Sequence, residues 1–482
     1  MYKNSRGRPG AVLAAVAVAQ FVVALDMSVV NVALPSIRGS LGFAPVDLAW
    51  VVHVYALTFG GFLLLGGRAA DLYGRRRLFI GGLAAFGAAS LAGGLAQAPW
   101  QLIAARAAQG LAAAALAPAA LAMLTTTFTE GRARVRALGV WSAVNAAGGA
   151  LGVLVGGLLT EYAGWRWVML VNLPIVAGAL VLAAGWTAPD GARRREPLDV
   201  LGAVLATGGI GLLVFGVVRT DRSGWASAAT LGTLTGAALL LVVFVLVEAK
   251  VAKAPLLRLG LLRSRWVAGA NAFVFLAAAG QFAAFYFVSL YLQQVLHLGS
   301  AATGAAFLPF SFGTVVGTVL ATRIGASRTP RASLIPGGLL AAAGFGWFAL
   351  ISPDGSFLAD VLGPSLVASV GLGLCLAPVA AAATTGVAPR EAGMASGVLN
   401  SARQLGGCVG LAALATIAAG HAEHAGSGPA ALAGGYALSL GIAAVLYLVA
   451  VLVAIVVLPS RRPATAPSPV SIKEDRLEGT LS

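Results

Sequence analysis

Apolar runs of about 20 residues alternate with short polar breaks along almost the whole chain. Fourteen such runs predict membrane-spanning helices at 11–34, 47–66, 78–97, 100–124, 136–160, 165–186, 199–219, 228–249, 266–292, 302–323, 332–351, 357–383, 392–419 and 431–458. A helix needs roughly 20 apolar residues to cross a ~30 Å hydrocarbon core, and it satisfies its own backbone polar groups there. The breaks between runs are too short to fold as soluble domains. The pattern therefore predicts an all-α polytopic membrane protein.

Composition excludes the soluble alternative. Of 482 residues, 59% are hydrophobic and only 10% charged, which leaves too little polar surface to cover a globule. Charge then sets orientation. With the N-terminus on the inner face, 26 of the 32 Lys and Arg fall in inner segments, among them Arg75, Arg76 and Arg77, Arg132, Arg134 and Arg136, and Arg193, Arg194 and Arg195. Arg38, Arg166, Arg219 and Arg222 fall in outer loops, and Arg106 and Arg403 inside spans. This positive-inside bias predicts cytoplasmic termini. It also explains the +15 net charge through topology and anionic lipid, so no nucleic-acid partner is expected. The first span is too long for a signal-peptide core and ends in Leu34-Pro35 without a small-residue cleavage site, so it is expected to be retained.

The expected organisation is a cytoplasmic N-terminus (1–10), a six-helix half (11–186), two linker helices with inner loops (187–265), a second six-helix half (266–458) and a disordered, Pro- and Ser-rich cytoplasmic tail (459–482). Walker A, HExxH, CxxC and GxSxG patterns are absent, and both cysteines, Cys375 and Cys408, lie inside spans. Neither a metal, a cofactor nor an enzyme's catalytic set is expected. The division into halves comes from an internal repeat. ALGVWSAVNAAGG at 137–149 aligns without gaps on ASGVLNSARQLGG at 395–407, and Gly110 and Pro118 match Gly371 and Pro378 upstream. The match sets spans 4–5 onto spans 12–13. Such repeats build many secondary transporters, with the substrate site between the halves near the membrane midplane.

Several motifs, in order, carry a resemblance. They are LDMSVVNVALP at 25–35, GRAADLYGRRR at 67–77, LIAARAAQG at 102–110, the span-5 glycines Gly152, Gly156 and Gly157, WRWVMLVNLP at 165–174, and Leu198-Asp199. Together they resemble the major facilitator superfamily, specifically its fourteen-helix drug:proton antiporter branch. The resemblance implies two six-helix halves plus two linker helices in a plasma membrane, and proton-driven export of amphipathic small molecules by alternating access; the Ala-, Gly- and Arg-rich, Lys-poor composition points to a bacterial source. A facilitator or importer of a polar metabolite on the same fold is the alternative. The chain departs from the pattern at Ala69 and Leu72 in the loop motif and at Val153, where the antiporter motif carries proline.

Candidate chemistry follows from polar groups stranded in apolar spans. A charge at a helix centre costs ~2.5–3.5 kcal/mol on insertion scales, so such residues are paired or functional. Asp26 and Arg106 both lie roughly 9–12 Å below the outer surface at ~1.5 Å per residue, so they are expected to meet. The resemblance gives them a proton-coupling role; a static structural pair is the alternative. His53 shares their layer, either as a proton relay or as a cavity-facing side chain. Arg403 sits near mid-depth, followed by Gln404 and matched in the repeat by Asn145. It points to a water-filled cavity and an anionic or carbonyl-bearing substrate group, or to bonds with helix carbonyls. Tyr55, Gln109, Gln281, Tyr286 and Asn400 are further cavity candidates. On the loop motif, Gly67, Asp71, Gly74, Arg75 and Arg76 are expected to latch one conformation, and the span-5 glycines to allow close helix approach.

Overall fold

The computed structural model describes residues 9–44, 47–128, 131–184, 198–252, 255–325, 329–388, 391–426 and 428–460. Most of the expected N-terminal segment, Arg193 to Arg195, and the tail beyond 460 lie outside the described residues.

Six passes form the first half: α1 (Pro9–Leu41), α2 (Trp50–Tyr73), α3 (Arg75–Gly94), α4 (Pro99–Thr127), α5 (Gly131–Tyr162) and α6, made of Arg166–Leu170 and Asn172–Ala184. Two linker helices follow, α7 (Val200–Ser223) and α8 (Ala228–Lys250). The second half contains α9 (Arg265–Leu290), α10 (Ser300–Ala306 continuing as Leu308–Gly325), α11 (Arg331–Phe348), α12 (Gly363–Thr384), α13 (Ala392–Ala425) and α14 (Pro429–Val456). Thirteen helices among the described residues are long and apolar enough to cross a membrane. The fourteenth predicted span is α11, with 18 residues, about 27 Å at ~1.5 Å per residue. Arg331 at its first position and Pro336 inside it interrupt its apolar run. Its glycines pack it closely on its neighbours, Gly344 and Gly337 against α12 and Gly338 against Val451 of α14.

Small residues set how near the helices come. A Cβ on Gly152 would lie 2.8 Å from the carbonyl oxygen of Leu25, and one on Gly156 would lie 2.5 Å from that of Val29. Helix α5 therefore rides directly on the backbone of α1, and any larger residue would push the two apart. Gly74 joins α2 to α3 with φ of 104°, a left-handed conformation that L side chains avoid. Where α7 and α8 begin, Asp199 accepts from the Gly202 N–H at 2.8 Å and Ser227 accepts from the Thr230 N–H at 3.1 Å, capping both linker helices.

The halves are tied at the end of the bundle away from the chain termini. Ser289 Oγ of α9 donates to the Asn31 carbonyl at 3.1 Å, and Gln293 Nε2 donates to the Val32 carbonyl at 3.0 Å. Glu161, at the end of α5, accepts from the Ala301 N–H at 2.7 Å, capping the first turn of α10. Gly157 of α5 lies against the Ser300 carbonyl beside it. Toward the termini, the intramembrane amides Asn145 and Asn400 are exposed.

Candidate functional site

Asp26 is fully buried in the middle of α1, as is Arg106 on α4 at 1% exposure. Arg106 Nη1 donates to Asp26 Oδ2 at 2.5 Å. The other carboxylate oxygen accepts from Asn172 Nδ2 of α6 at 2.8 Å and from Gln109 Nε2 of α4 at 3.1 Å. Ser90 of α3 underlies both amides, accepting from Gln109 at 2.8 Å and Asn172 at 3.3 Å. Four helices thus converge on one carboxylate. The sequence places Arg106 and Gln109 three residues apart, on one face of α4, so a single helix supplies both the charge and an amide.

Arg106 is also anchored independently of Asp26. Its Nε donates to the Val51 carbonyl at 3.1 Å and its Nη1 to Gln109 Oε1 at 2.9 Å. Its guanidinium carbon sits 4.3 Å from the centre of the Tyr55 ring, a cation–π contact that strengthens away from water. A proton arriving at Asp26 would therefore leave Arg106 in place. It would cancel the charge that Arg106 faces and turn one acceptor oxygen into a donor. Breaking a buried ion pair from one side costs roughly 3–5 kcal/mol, enough to bias a two-state machine.

The other marked residues fall into distinct places. Tyr55 and Gln109 belong to this buried cluster rather than to an open cavity wall, and the Tyr55 hydroxyl has no partner among the described residues. His53 is buried on α2 but turned about 160–200° from residues 51 and 55, as the helix's 3.6 residues per turn require. It meets the second half: Cys408 Sγ of α13 donates to the His53 carbonyl at 3.4 Å, and Trp50 packs edge-on to its ring. Asn145 accepts from Gln20 Nε2 at 2.6 Å. Gln404 reaches Met27 Sδ of α1 at 3.7 Å. Gln281 is half-buried, and Tyr286 is buried edge-on to Phe287. Asp71, expected on a loop, lies in the last turn of α2 and accepts at 3.0 Å from Nη2 of Arg75, the first residue of α3, across Gly74; Asp71 is exposed and Arg75 half-buried. Gly67 has only an ordinary contact to Pro118, whereas its neighbour Gly66 is pressed onto the Ala114 carbonyl.

Sequence reasoning missed Asn172 and Ser90. Each is a lone neutral polar residue in an apolar span, and Asn172 stands inside the WRWVMLVNLP segment, which was marked only as a signature.

A helical membrane bundle of two tied halves, with an ion pair sealed inside one of them, defines the class of secondary transporters. The Major Facilitator Superfamily profile matches residues 16–411, and the chain belongs to that family. It is 46% identical over 420 residues to the cephamycin export protein of Amycolatopsis lactamdurans, covering 86% of both chains. It is 42% identical over 427 residues to the puromycin resistance protein of Streptomyces alboniger, covering 87% of this chain and 84% of that one. Among solved structures, a bacterial homologue of the human lysosomal transporter Spinster superimposes with a TM-score of 0.65 at 17% identity, over 97% of this chain and all of that one. A peptide transporter in complex with sulfate superimposes with a TM-score of 0.67 at 16% identity, over 92% and 94%.

Proposed function

We propose that this protein exports amphipathic organic compounds, antibiotics among them, from a bacterial cell in exchange for protons, with both termini in the cytoplasm. The observation that carries the proton-coupled part is the sealed Asp26–Arg106 pair with its two amide donors. The export part rests on two relatives above 40% identity whose names describe antibiotic export or resistance.

In this reading α1 is the lever. Asp26 lies five residues before Asn31, about 7.5 Å along the helix. The Asn31 and Val32 carbonyls take the bonds that tie the halves. Once substrate has loaded from the inner side and the far end has opened, a proton from the outer side reaches Asp26, loosens α1 from α4 and α6, and substrate leaves. The same helix then returns against Ser289 and Gln293, the far end closes, and release of the proton to the inner side restores the ion pair. The glycine stripe of α5 follows α1 because no side chain separates them. His53, facing Cys408, sits at the seam between the halves and stands outside the proton path.

The test is a panel of toxic compounds applied to cells with and without the chain, with Asp26→Asn alongside. Raised resistance that vanishes in the variant supports the proposal. Resistance unaffected by the substitution removes Asp26 from the mechanism, and no resistance to any compound removes export. A fluorescent protein fused after residue 482 tests the orientation, since it matures only on the cytoplasmic side.

A further inference from the structure

Among the described residues, Arg403 is left without a partner by the fold's own symmetry. In the first half, Gly148 lies against the Phe21 carbonyl and Gly152 against that of Leu25; in the second, Gly406 lies against the Phe275 carbonyl and Gly410 against the Ala279 backbone. Helix α13 therefore sits on α9 as α5 sits on α1. In this register Arg403 corresponds to Asn145, and Val274 corresponds to Gln20. Gln20 and Asn145 satisfy each other at 2.6 Å. Val274 is buried and apolar and offers Arg403 nothing. Arg403 makes no hydrogen bond or ion pair with any described residue.

Its surroundings on α13 are equally unspent. Ser401 Oγ and Gln404 Oε1 are buried without partners, and Asn400, one turn away, is exposed. Gln404 abuts Gly60 of α2 and Met27 of α1, so this face of α13 looks across the seam at the first half. On the next turn Gly407 lies flat against the Phe282 ring. A planar guanidinium with the exposed Asn400 amide one turn before it on the same face and an aromatic ring one turn after it suits a particular kind of molecule. The two-pronged fork matches the two oxygens of a carboxylate, and a charge this deep in a membrane calls for a counter-charge.

We infer that Arg403 is the anchor for a carboxylate on the transported compound, so that the substrate class is amphipathic organic acids with an aromatic or similarly flat apolar body. The inference rests on the transporter reading above and names the chemistry of its substrate.

The test uses two probes that differ only in charge, N-dansyl-phenylalanine and N-dansyl-phenylalanine amide. Their binding to the purified full-length protein is followed by fluorescence anisotropy. Wild type binds the acid about tenfold or more tighter than the amide, as expected for one charge-assisted pair. Arg403→Gln brings that ratio to about one and leaves amide affinity within roughly twofold. Val274→Glu supplies an internal carboxylate at the position facing Arg403; it also brings the ratio to about one, and it keeps the question decidable if the glutamine variant does not fold. A wild-type protein that binds both probes alike, or neither, overturns the inference. So does an undiminished acid preference in Val274→Glu or in folded Arg403→Gln. The assay needs no gradient and no transport. A failure of export in cells with the acid preference intact therefore counts against the exporter reading alone.

Discussion

Replacing Asp26 with Asn removes one charge while keeping the shape of the side chain. The amide oxygen can still accept from Asn172 and Gln109, now at 2.8 and 3.1 Å. What disappears is the counter-charge to Arg106, which stays fixed by the Val51 carbonyl and the Tyr55 ring. The variant therefore folds, in a state resembling permanent protonation. One proton exchanged down a gradient of one pH unit supplies about 1.4 kcal/mol, which, with no membrane potential, holds the substrate at about a tenfold concentration ratio. In everted vesicles with an imposed pH gradient, wild type should accumulate substrate to about that ratio per proton exchanged. Asp26→Asn should stop at a ratio of about one, with substrate affinity held within a few-fold. Uphill accumulation by the variant equal to wild type, with an unchanged pH profile, would refute the reasoning.

Other perturbations probe neighbouring links. Arg106→Lys keeps the charge but cannot reach the Val51 carbonyl, Asp26 and Gln109 together; transport should fall by about tenfold or more, with thermal stability down by ~1–3 kcal/mol for the orphaned acceptors. Gly156→Val drives a side chain into the Val29 backbone and should cost ~1–3 kcal/mol of overpacking along with transport. Gly149→Ala, with open space at that position, should leave both unchanged in the same thermal-shift and uptake assays. Glu161→Gln weakens a cap that crosses the halves. By ~1 kcal/mol it should raise, about fivefold, the labelling rate of a cysteine placed at Ser300 by a reagent added on the side of the membrane away from the chain termini.

The fold was legible because runs of about 20 apolar residues leave the backbone one solution in a bilayer. The short α11 was legible too, although Arg331 and Pro336 dilute it. Depth was equally readable: rise per residue put Asp26 and Arg106 in one layer, and they meet there. Direction around a helix was not. His53 shares that layer, yet the turn of α2 points it at Cys408 rather than at Asp26. Gln109 and Tyr55, polar and near the midplane, suited an open cavity as well as a buried cluster. Only the packing of α2 and α4 assigns them to the cluster. Asn172 and Ser90 escaped notice because a single amide or hydroxyl is tolerated in a span, whereas a lone carboxylate is not. The glycine of the loop motif that packs closely is Gly66 rather than the marked Gly67, since pattern alone does not say which of two adjacent glycines faces a neighbour.

The central claim is that Asp26 is the group whose proton is exchanged for substrate. Its most direct test is proton release when a transported compound is added to purified protein in weak buffer, read with a pH-sensitive dye. Starting from the protonated protein, wild type should release about one proton per molecule bound, with Asp26→Asn releasing none. Equal release from both proteins, or none from a wild type that binds its substrate, would contradict the account.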